Sequence, residues 1–125
     1  MPAITLNFRF GGATEDPSPA DLERAIAEIF EETNPACSQG DYAEHPNAWL
    51  EYGDASGDRW AIITLDLYRS GEMRFTKYAD QDDAEPEFEL SKQVQRDEAM
   101  RLWLLLRNGR LAELLSESWR QVGSG

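Results

Sequence analysis

The side chains that most often carry out catalysis or bind transition metals are scarce in this chain. Its 125 residues include one cysteine, Cys37, and one histidine, His45, which lie eight positions apart. A transition-metal site needs several converging imidazole, thiolate or carboxylate ligands, and one Cys–His pair is too small to build it. The two residues could instead act as a nucleophile and its base, but neither an orienting group nor oxyanion donors can be recognised. We therefore expect no catalytic residue, no metal and no cofactor, and we keep a small enzyme using Cys37 and His45 as one alternative.

Carboxylates are the only reactive groups present in excess. The chain has 24 Asp and Glu against 12 Lys and Arg, which gives a formal net charge of −12. Pairs of carboxylates perform acid–base and glycosidic chemistry, but among so many acids such pairs arise by chance. Gly11 and Gly12 lack the remaining pattern of a phosphate-binding loop. The charge disfavours nucleic acid and anionic membranes as partners and favours a basic protein.

The acids are concentrated in one segment, which we call the acidic segment. Six of the ten residues from 80 to 89 are acidic. We predict that this segment receives a basic protein, because complementary charge speeds association and sets specificity. The residues assigned to that role are Asp80, Asp82, Asp83, Glu85 and Glu87. The alternative is a solvated loop that leads into a charged edge strand near Phe88.

The element that must organise the chain is a β-hairpin over residues 59–79. A three-residue loop, Arg69-Ser70-Gly71 with Gly71 in the left-handed conformation, makes one face apolar. The predicted pairs on that face are Leu67 with Met73, Leu65 with Phe75, Ile63 with Lys77 and Ala61 with Ala79. The other face pairs Tyr68 with Glu72, Asp66 with Arg74, Thr64 with Thr76 and Ile62 with Tyr78. A two-residue loop would mix the two faces, so we prefer the three-residue loop.

Other patterns place further elements around this hairpin. Residues 3–10 alternate as a half-buried strand with Arg9 on the polar side, and residues 14–19 are predicted to form a loop. Ser18-Pro19 begins an amphipathic helix that ends at Asn34-Pro35, and residues 36–46 are predicted to be irregular. A strand over 47–53 pairs Tyr52 with Arg59 or Ala61, and a short strand begins at Phe88. A helix follows over 96–108, where Asn108-Gly109 is a C-terminal stop, and another runs from Leu111 to near Trp119.

These elements predict an α+β fold, with an antiparallel sheet of four to five strands and helices packed on it. The predicted order is strand, helix, four strands and two helices. We expect one domain over residues 1–121, a flexible tail over 122–125, and a cytoplasmic protein without a leader or membrane span. Which sheet face the helices cover decides the role of Trp49, Trp60 and Tyr78. They either pack under a helix or form an exposed aromatic surface for a partner.

The second half of the chain resembles a known family in the order of its segments: NAWLEYG, RWAIITLDLYRSGEMRF, ADQDDAEPEF and VQRDEAMRLWLLLRNGRLAELLSESW. It is similar to the first-numbered immunity-protein family of bacterial polymorphic-toxin systems. The resemblance covers about residues 47–119. The matching positions are Trp60, Gly71, Asp80, Asp83, Ala99, Trp103 and Trp119. The family often has a proline before its final tryptophan, where this chain has Ser118.

The resemblance implies a cytosolic protein that binds and neutralises one toxin by occluding its active site. The toxins of such systems are often nucleases or nucleic-acid deaminases. An acidic inhibitor complements a basic toxin of this kind, so the charge and the resemblance favour the same function. The alternative is a non-catalytic interaction or regulatory module whose acidity serves solubility.

Overall fold

A single antiparallel sheet forms the framework of the structure. The computed structural model describes residues 2–32, 38–54, 63–78 and 88–121, which contain seven strands and four helices. The strands are β1 (Pro2–Asn7), β2 (Ala13–Glu15), β3 (Asn47–Asp54), β4 (Ile63–Tyr68), β5 (Glu72–Lys77), β6 (Phe88–Gln93) and β7 (Arg120–Gln121). The helices are α1 (Pro19–Glu31), α2 (Gln39–Glu44), α3 (Arg96–Arg107) and α4 (Leu111–Leu115). The strand order is β2-β1-β3-β4-β5-β6-β7.

The α+β class is confirmed, but the predicted number of four to five strands is wrong. The two additional strands, β2 and β7, lie at opposite edges of the sheet. They contain three and two residues, respectively. A segment this short is too brief to show the alternation from which strands are recognised. Accordingly, β2 occupies part of the predicted loop over 14–19, and α4 ends at Leu115 rather than near Trp119.

The register of the central hairpin agrees with the prediction. Leu67 lies opposite Met73, Leu65 opposite Phe75, Ile63 opposite Lys77, Thr64 opposite Thr76 and Asp66 opposite Arg74. Gly71 has a φ of +87°, and its amide donates to the Tyr68 carbonyl oxygen at 2.9 Å. The pairs that involve residues 61, 62 and 79 lie outside the described residues. The alternation of apolar and polar side chains was therefore enough to set this register.

The observed pairing of β3 with β4 is displaced by two residues from the predicted Ala61 alternative and by four from the Arg59 alternative. Tyr52 pairs with Ile63 rather than with Arg59 or Ala61, and Leu50 pairs with Leu65. A slip by an even number of residues leaves every side chain on the same face, because the side-chain period of a strand is two. The predicted faces of β3 are therefore right although the partners are wrong.

Arg9 is buried rather than on the solvent side of a strand. The first strand ends at Asn7, and the chain reverses through Gly11 and Gly12, whose φ values are +100° and +90°. Alternation stops at this turn, so Arg9 is 3% exposed while Phe10 is 38% exposed. The Arg9 guanidinium donates to the carbonyl oxygens of His45 at 2.8 Å, Glu28 at 2.9 Å and Tyr42 at 3.2 Å.

Arg9 and Arg69 share the carboxylate of Glu32, which lies at the C-terminal end of α1. Its Nη2 lies 3.0 Å from Glu32 Oε2, and Arg69 Nη2 lies 2.9 Å from Glu32 Oε1. Burial alone would raise the pKa of Glu32, but the hydrogen bonds and charges of Arg69 and Arg9 outweigh that effect. The pKa of Glu32 therefore lies below its ordinary value of 4.5.

The helix starts follow local capping chemistry. Ser18 caps α1 in a reciprocal pair with Asp21, and Pro19 occupies the first turn, as predicted. The same Ser-x-x-Asp pattern starts α2, where Ser38 and Asp41 form a second reciprocal pair. The prediction of an irregular segment over 36–46 is therefore wrong for residues 39–44. Residues 33–37, which include Cys37 and the Asn34-Pro35 helix stop, lie outside the described residues.

The helices α1 and α3 pack on the face of the sheet that carries Leu50 and Leu65. Trp103 is fully buried there, and its indole Nε1 donates to the Leu65 carbonyl oxygen at 3.1 Å. Trp119 is partly buried against the same core, with its ring edge-on to Phe75 at a centroid distance of 5.4 Å. Trp103 and Trp119 thus belong to the helix side of the sheet, which leaves Trp49 on the opposite side.

Candidate functional site

The face of the sheet opposite the helices carries polar and aromatic side chains, and we call it the polar sheet face. The residues that belong to this face follow from the alternation of side chains along the paired strands β3, β4, β5 and β6. In the described ranges, the apolar stripes of α1, α3 and α4 are buried against the other face. The polar sheet face includes Trp49, Glu51, Thr64, Asp66, Tyr68, Glu72, Arg74, Thr76, Tyr78, Glu89 and Ser91.

A recess of about 280 Å³ lies on this face around Asp66, and we call it the Asp66 recess. It collects side chains from four neighbouring strands and from the residue after β5. Its described lining residues are Trp49, Thr64, Asp66, Tyr68, Arg74, Thr76, Tyr78 and Glu89. Three aromatic rings, two acids and one arginine therefore share a small volume outside the core.

Asp66 is the electrostatically unusual member of the recess. Burial raises the pKa of Asp66 from its ordinary value of 3.8 to about 6, and the nearby charge of Glu51 adds to the rise. Hydrogen bonds from Thr64 and Asn47 oppose it, the latter with Asn47 Nδ2 donating to Asp66 Oδ2 at 3.0 Å. Both of these donors are neutral. A carboxylate held in a partly desolvated cleft costs stability, and groups of this kind are concentrated at functional sites.

Arg74 lies opposite Asp66 as predicted, but it forms its ion pairs with other acids. Its Nε donates to Glu72 Oε1 at 2.9 Å, and its Nη1 lies 3.7 Å from Glu89 Oε1. Arg74 lowers the pKa of Asp66, but by less than burial, the hydrogen bonds from Thr64 and Asn47, or the charge of Glu51 affects it. Asp66 and Arg74 therefore lie opposite each other on adjacent strands, but the ion pairs of Arg74 are with Glu72 and Glu89 instead of Asp66. The Arg74 guanidinium also sits over the Tyr68 ring, 5.5 Å from its centroid.

The neighbouring groups hold Arg74 in this position. Ser91 Oγ donates to Glu72 Oε2 at 2.7 Å, and this hydrogen bond is the main reason that the pKa of Glu72 is lowered. The Glu72 hydrogen bond in turn raises the pKa of Arg74. Burial and the charge of Asp66 raise the pKa of Tyr68. Glu72, Arg74 and Ser91 therefore form a connected frame beside Asp66.

Two of the predicted partner-binding residues meet in this recess. Trp49 and Tyr78 are both half-buried and both line it. Trp49 Nε1 donates to Glu51 Oε1 at 2.8 Å, which orients the indole along the face. Trp49 and Tyr78 do not pack under α1, α3 or α4, because the apolar stripes of those helices are buried against the other face. The remaining predicted residues lie outside the described ranges: Trp60, Asp80, Asp82, Asp83, Glu85 and Glu87.

The recess contains Trp49 and Tyr78, which the sequence predicts to bind a partner, and also Asp66 and Tyr68, which it does not. The predicted hairpin register assigns Asp66 and Tyr68 only to stabilising cross-strand pairs. A signal was present, because the predicted hairpin register already put Asp66, Tyr68 and Tyr78 on one face with Trp49. What the pattern could not show was that Arg74 would turn toward Glu72 and Glu89.

Other recesses offer less chemistry. A groove of about 470 Å³ lies between α1 and α3, lined by Glu23, Ile26, Gln95, Arg96, Asp97 and Met100. Another recess, of about 290 Å³, is lined by Phe10, by Tyr42 of α2 and by residues of α1. It lies close to the buried Arg9, whose guanidinium is over the rings of Phe10 and Tyr42. His45 is an exposed residue at the end of α2, where its ring contacts Phe10 at a centroid distance of 5.3 Å.

The described part of the chain contains neither a metal-binding cluster nor a membrane-spanning helix. Within residues 2–32, 38–54, 63–78 and 88–121, no group of three or more His, Cys, Asp or Glu is arranged to hold a metal ion. None of the helices in these ranges has both the length and the apolar character needed to span a bilayer.

The fold and the recess define an α+β protein with an open antiparallel sheet whose polar face bears an acidic and aromatic site. Comparisons with protein-family models, with curated proteins and with solved structures gave no match to this chain.

Proposed function

We propose that this chain is a non-catalytic cytoplasmic immunity protein that binds and neutralises a basic toxin, a nuclease or nucleic-acid deaminase, by occluding its active site. The observation that carries the proposal is the polar sheet face, with Trp49, Tyr68 and Tyr78 grouped around Asp66. Aromatic side chains at the centre of a contact surface, with acids around them, suit a basic protein partner. The resemblance over residues 47–119 supports a toxin as that partner.

The acidic segment is adjacent to the polar sheet face in the sequence. It follows Tyr78, which lines the recess, and it leads to Phe88 at the start of β6. We propose that Asp80, Asp82, Asp83, Glu85 and Glu87 steer the toxin toward the sheet face. The formal charge of −12 favours encounter with a positive surface, and salt should weaken this attraction.

The first experiment tests the partner class. The chain is co-expressed with the reading frame adjacent to its gene, and growth rescue and co-purification are both scored. Rescue with formation of a one-to-one complex is expected. A neighbouring protein that is not toxic, or a toxin that is neither bound nor neutralised, would contradict the immunity function. A partner that is bound without toxicity would instead support the alternative of a regulatory module.

The second experiment tests steering by the acidic segment. The double variant Asp82→Lys, Asp83→Lys should slow toxin association by about tenfold at low salt and flatten its salt dependence. The matched control is Glu23→Lys with Glu113→Lys, which applies the same change in charge at exposed positions on α1 and α4. Stopped-flow association rates measured from 20 to 300 mM salt separate the two. Equal slowing by both double variants would mean that only net charge matters.

A further inference from the structure

We propose that the Asp66 recess is an anchor pocket that receives one arginine side chain of the basic partner. The inference rests on the proposed function, since it names how that partner is held. The recess brings a half-buried carboxylate and three aromatic rings to the sheet face opposite α1, α3 and α4. Interfaces commonly depend on a few side chains that insert into pockets of this kind.

The size of the recess is sufficient for a single side chain. Its volume is about 280 Å³, close to the lower end of the roughly 300–1,000 Å³ that pockets for drug-sized ligands occupy. A guanidinium with its aliphatic stem needs only part of this space. The choice of an arginine over other occupants therefore rests on the chemistry of the lining.

The aromatic lining favours a planar cation. Trp49, Tyr68 and Tyr78 place indole and phenol rings around the carboxylate. The negative faces of such rings attract cations, and a guanidinium can both stack on a ring and donate in parallel to a carboxylate. One such contact already exists within the protein, where the Arg74 guanidinium carbon lies 5.5 Å from the centroid of the Tyr68 ring. A lysine ammonium would gain the charge interaction but not the planar stacking.

The charges of the recess leave Asp66 as the acceptor for an incoming cation. Arg74 has its Nε 2.9 Å from Glu72 Oε1 and its Nη1 3.7 Å from Glu89 Oε1, so its charge is shared between these two acids. Asp66 is held by the neutral donors Asn47 and Thr64. Glu51 on the neighbouring strand adds negative charge that acts on the same carboxylate. An arginine entering the recess would therefore neutralise a carboxylate that forms no ion pair with any Lys or Arg among the described residues.

The occupant is a basic protein rather than a second copy of this chain. Two copies that each carry a formal charge of −12 repel each other. A positively charged partner gains from the net charge during approach and from Asp66 after docking. The two effects act at different stages, because long-range charge changes the association rate and a buried contact changes the dissociation rate.

A fragment experiment tests the pocket without the toxin. N-acetyl-arginine amide is titrated into the ¹⁵N,¹³C-labelled protein while the Trp49 indole N–H and the Asp66 carboxyl carbon are followed by NMR. The expected dissociation constant is on the order of 1–10 mM, and both signals should shift together. The citrulline analogue has nearly the same shape without the charge, and it should shift neither signal.

Variants assign the binding to the recess. Asp66→Asn should weaken the arginine fragment by about tenfold, because a charge-assisted hydrogen bond is replaced by a neutral one. Tyr68→Leu should weaken it as well, and the control Glu23→Gln, exposed on α1, should leave it unchanged. The proposal is overturned if arginine and citrulline act alike, if neither binds up to 50 mM, or if Asp66→Asn binds as the wild type does.

The toxin complex separates failure of the pocket from failure of the proposed function. Asp66→Asn should raise the dissociation rate of the complex about tenfold or more, while Glu23→Gln changes it less than twofold. A toxin that binds the wild type and Asp66→Asn equally well would overturn the anchor pocket and leave the immunity function standing. If no toxin binds, the immunity function fails and the fragment titration alone decides the pocket.

Discussion

Replacing Asp66 with asparagine should make the protein more stable at neutral pH, although Asp66 lies at the centre of the candidate site. Burial raises the pKa of Asp66 from 3.8 to about 6. Below pH 3.8 the carboxyl is protonated in both the folded and the unfolded chain, and above pH 6 it is ionised in both. Between these values the folded chain retains a proton that the unfolded chain has released. The contribution of Asp66 to the free energy of unfolding therefore falls as the pH rises through this window and stays low above it.

The size of the effect follows from the same values. One pKa unit corresponds to about 1.36 kcal/mol, so the ordinary and raised pKa values imply a loss of about 3 kcal/mol across the window. Asparagine avoids this loss because it does not ionise. It also keeps only one of the two oxygens that accept from Asn47 and Thr64, which costs about 1 kcal/mol. We expect Asp66→Asn to be about 1–2 kcal/mol more stable than the wild type at pH 7.5 and no more stable at pH 3.5.

The measurement is urea unfolding of both proteins from pH 3.5 to 8 at constant ionic strength. The difference between the two free energies of unfolding isolates Asp66, because the other carboxylates titrate in both proteins. Asp16→Asn is the matched control, since Asp16 is exposed and has a φ of 49° that asparagine also tolerates. Wild-type and Asp66→Asn curves that run parallel over the whole pH range would refute the reasoning. A ¹³C titration of the Asp66 carboxyl checks its pKa directly.

Three further substitutions test the framework by equilibrium urea unfolding. Arg9→Met should lower the free energy of unfolding by about 3–5 kcal/mol, because it removes the buried guanidinium that contacts three carbonyl oxygens and Glu32. The control Arg24→Met, at an exposed position on α1, should lower it far less. Equal losses in the two variants would contradict the role of Arg9. Gly71→Ala should lower the free energy of unfolding by about 1–2 kcal/mol, because φ at this position is +87° and the added Cβ would lie 3.4 Å from the Val94 carbonyl oxygen. An unchanged free energy of unfolding would exclude the left-handed turn. Trp103→Ala should cost about 3–5 kcal/mol. Trp49→Ala should cost clearly less because Trp49 lies outside the core, and similar losses would show that both faces of the sheet are cores.

Local patterns were sufficient wherever the physical cause was local. Alternation and one left-handed glycine set the hairpin register, and Ser18 with Asp21 marked the start of α1. Asn108-Gly109 marked the end of α3, where Gly109 has a φ of +71°. The start of α2 could also have been predicted, because Ser38 and Asp41 repeat the spacing of Ser18 and Asp21.

Features that depend on contacts distant in the sequence were not predictable from pattern. Arg9 is 36 residues from His45, one of the carbonyl groups it binds, and nothing near Arg9 in the sequence marks it as buried. The edge strands β2 and β7 exist because β1 and β6 offer free backbone groups for pairing, and neither has a strong pattern of its own. The displacement of β3 against β4 by an even number of residues left both side-chain patterns intact, so alternation could not detect it.

The sequence by itself determined the α+β class, the core hairpin, the large negative charge and the grouping of Trp49, Asp66, Tyr68 and Tyr78 on one sheet face. These follow from composition and from the two-residue period of a strand, which are properties of the chain alone. Only the tertiary structure decided which face the helices cover and how the charges beside Asp66 are paired. The first outcome depends on which apolar stripes bury each other, and those stripes lie far apart in the chain. The second depends on which of several nearby acids Arg74 contacts, and alternation alone does not distinguish Glu72, two residues away, from Asp66 on the adjacent strand.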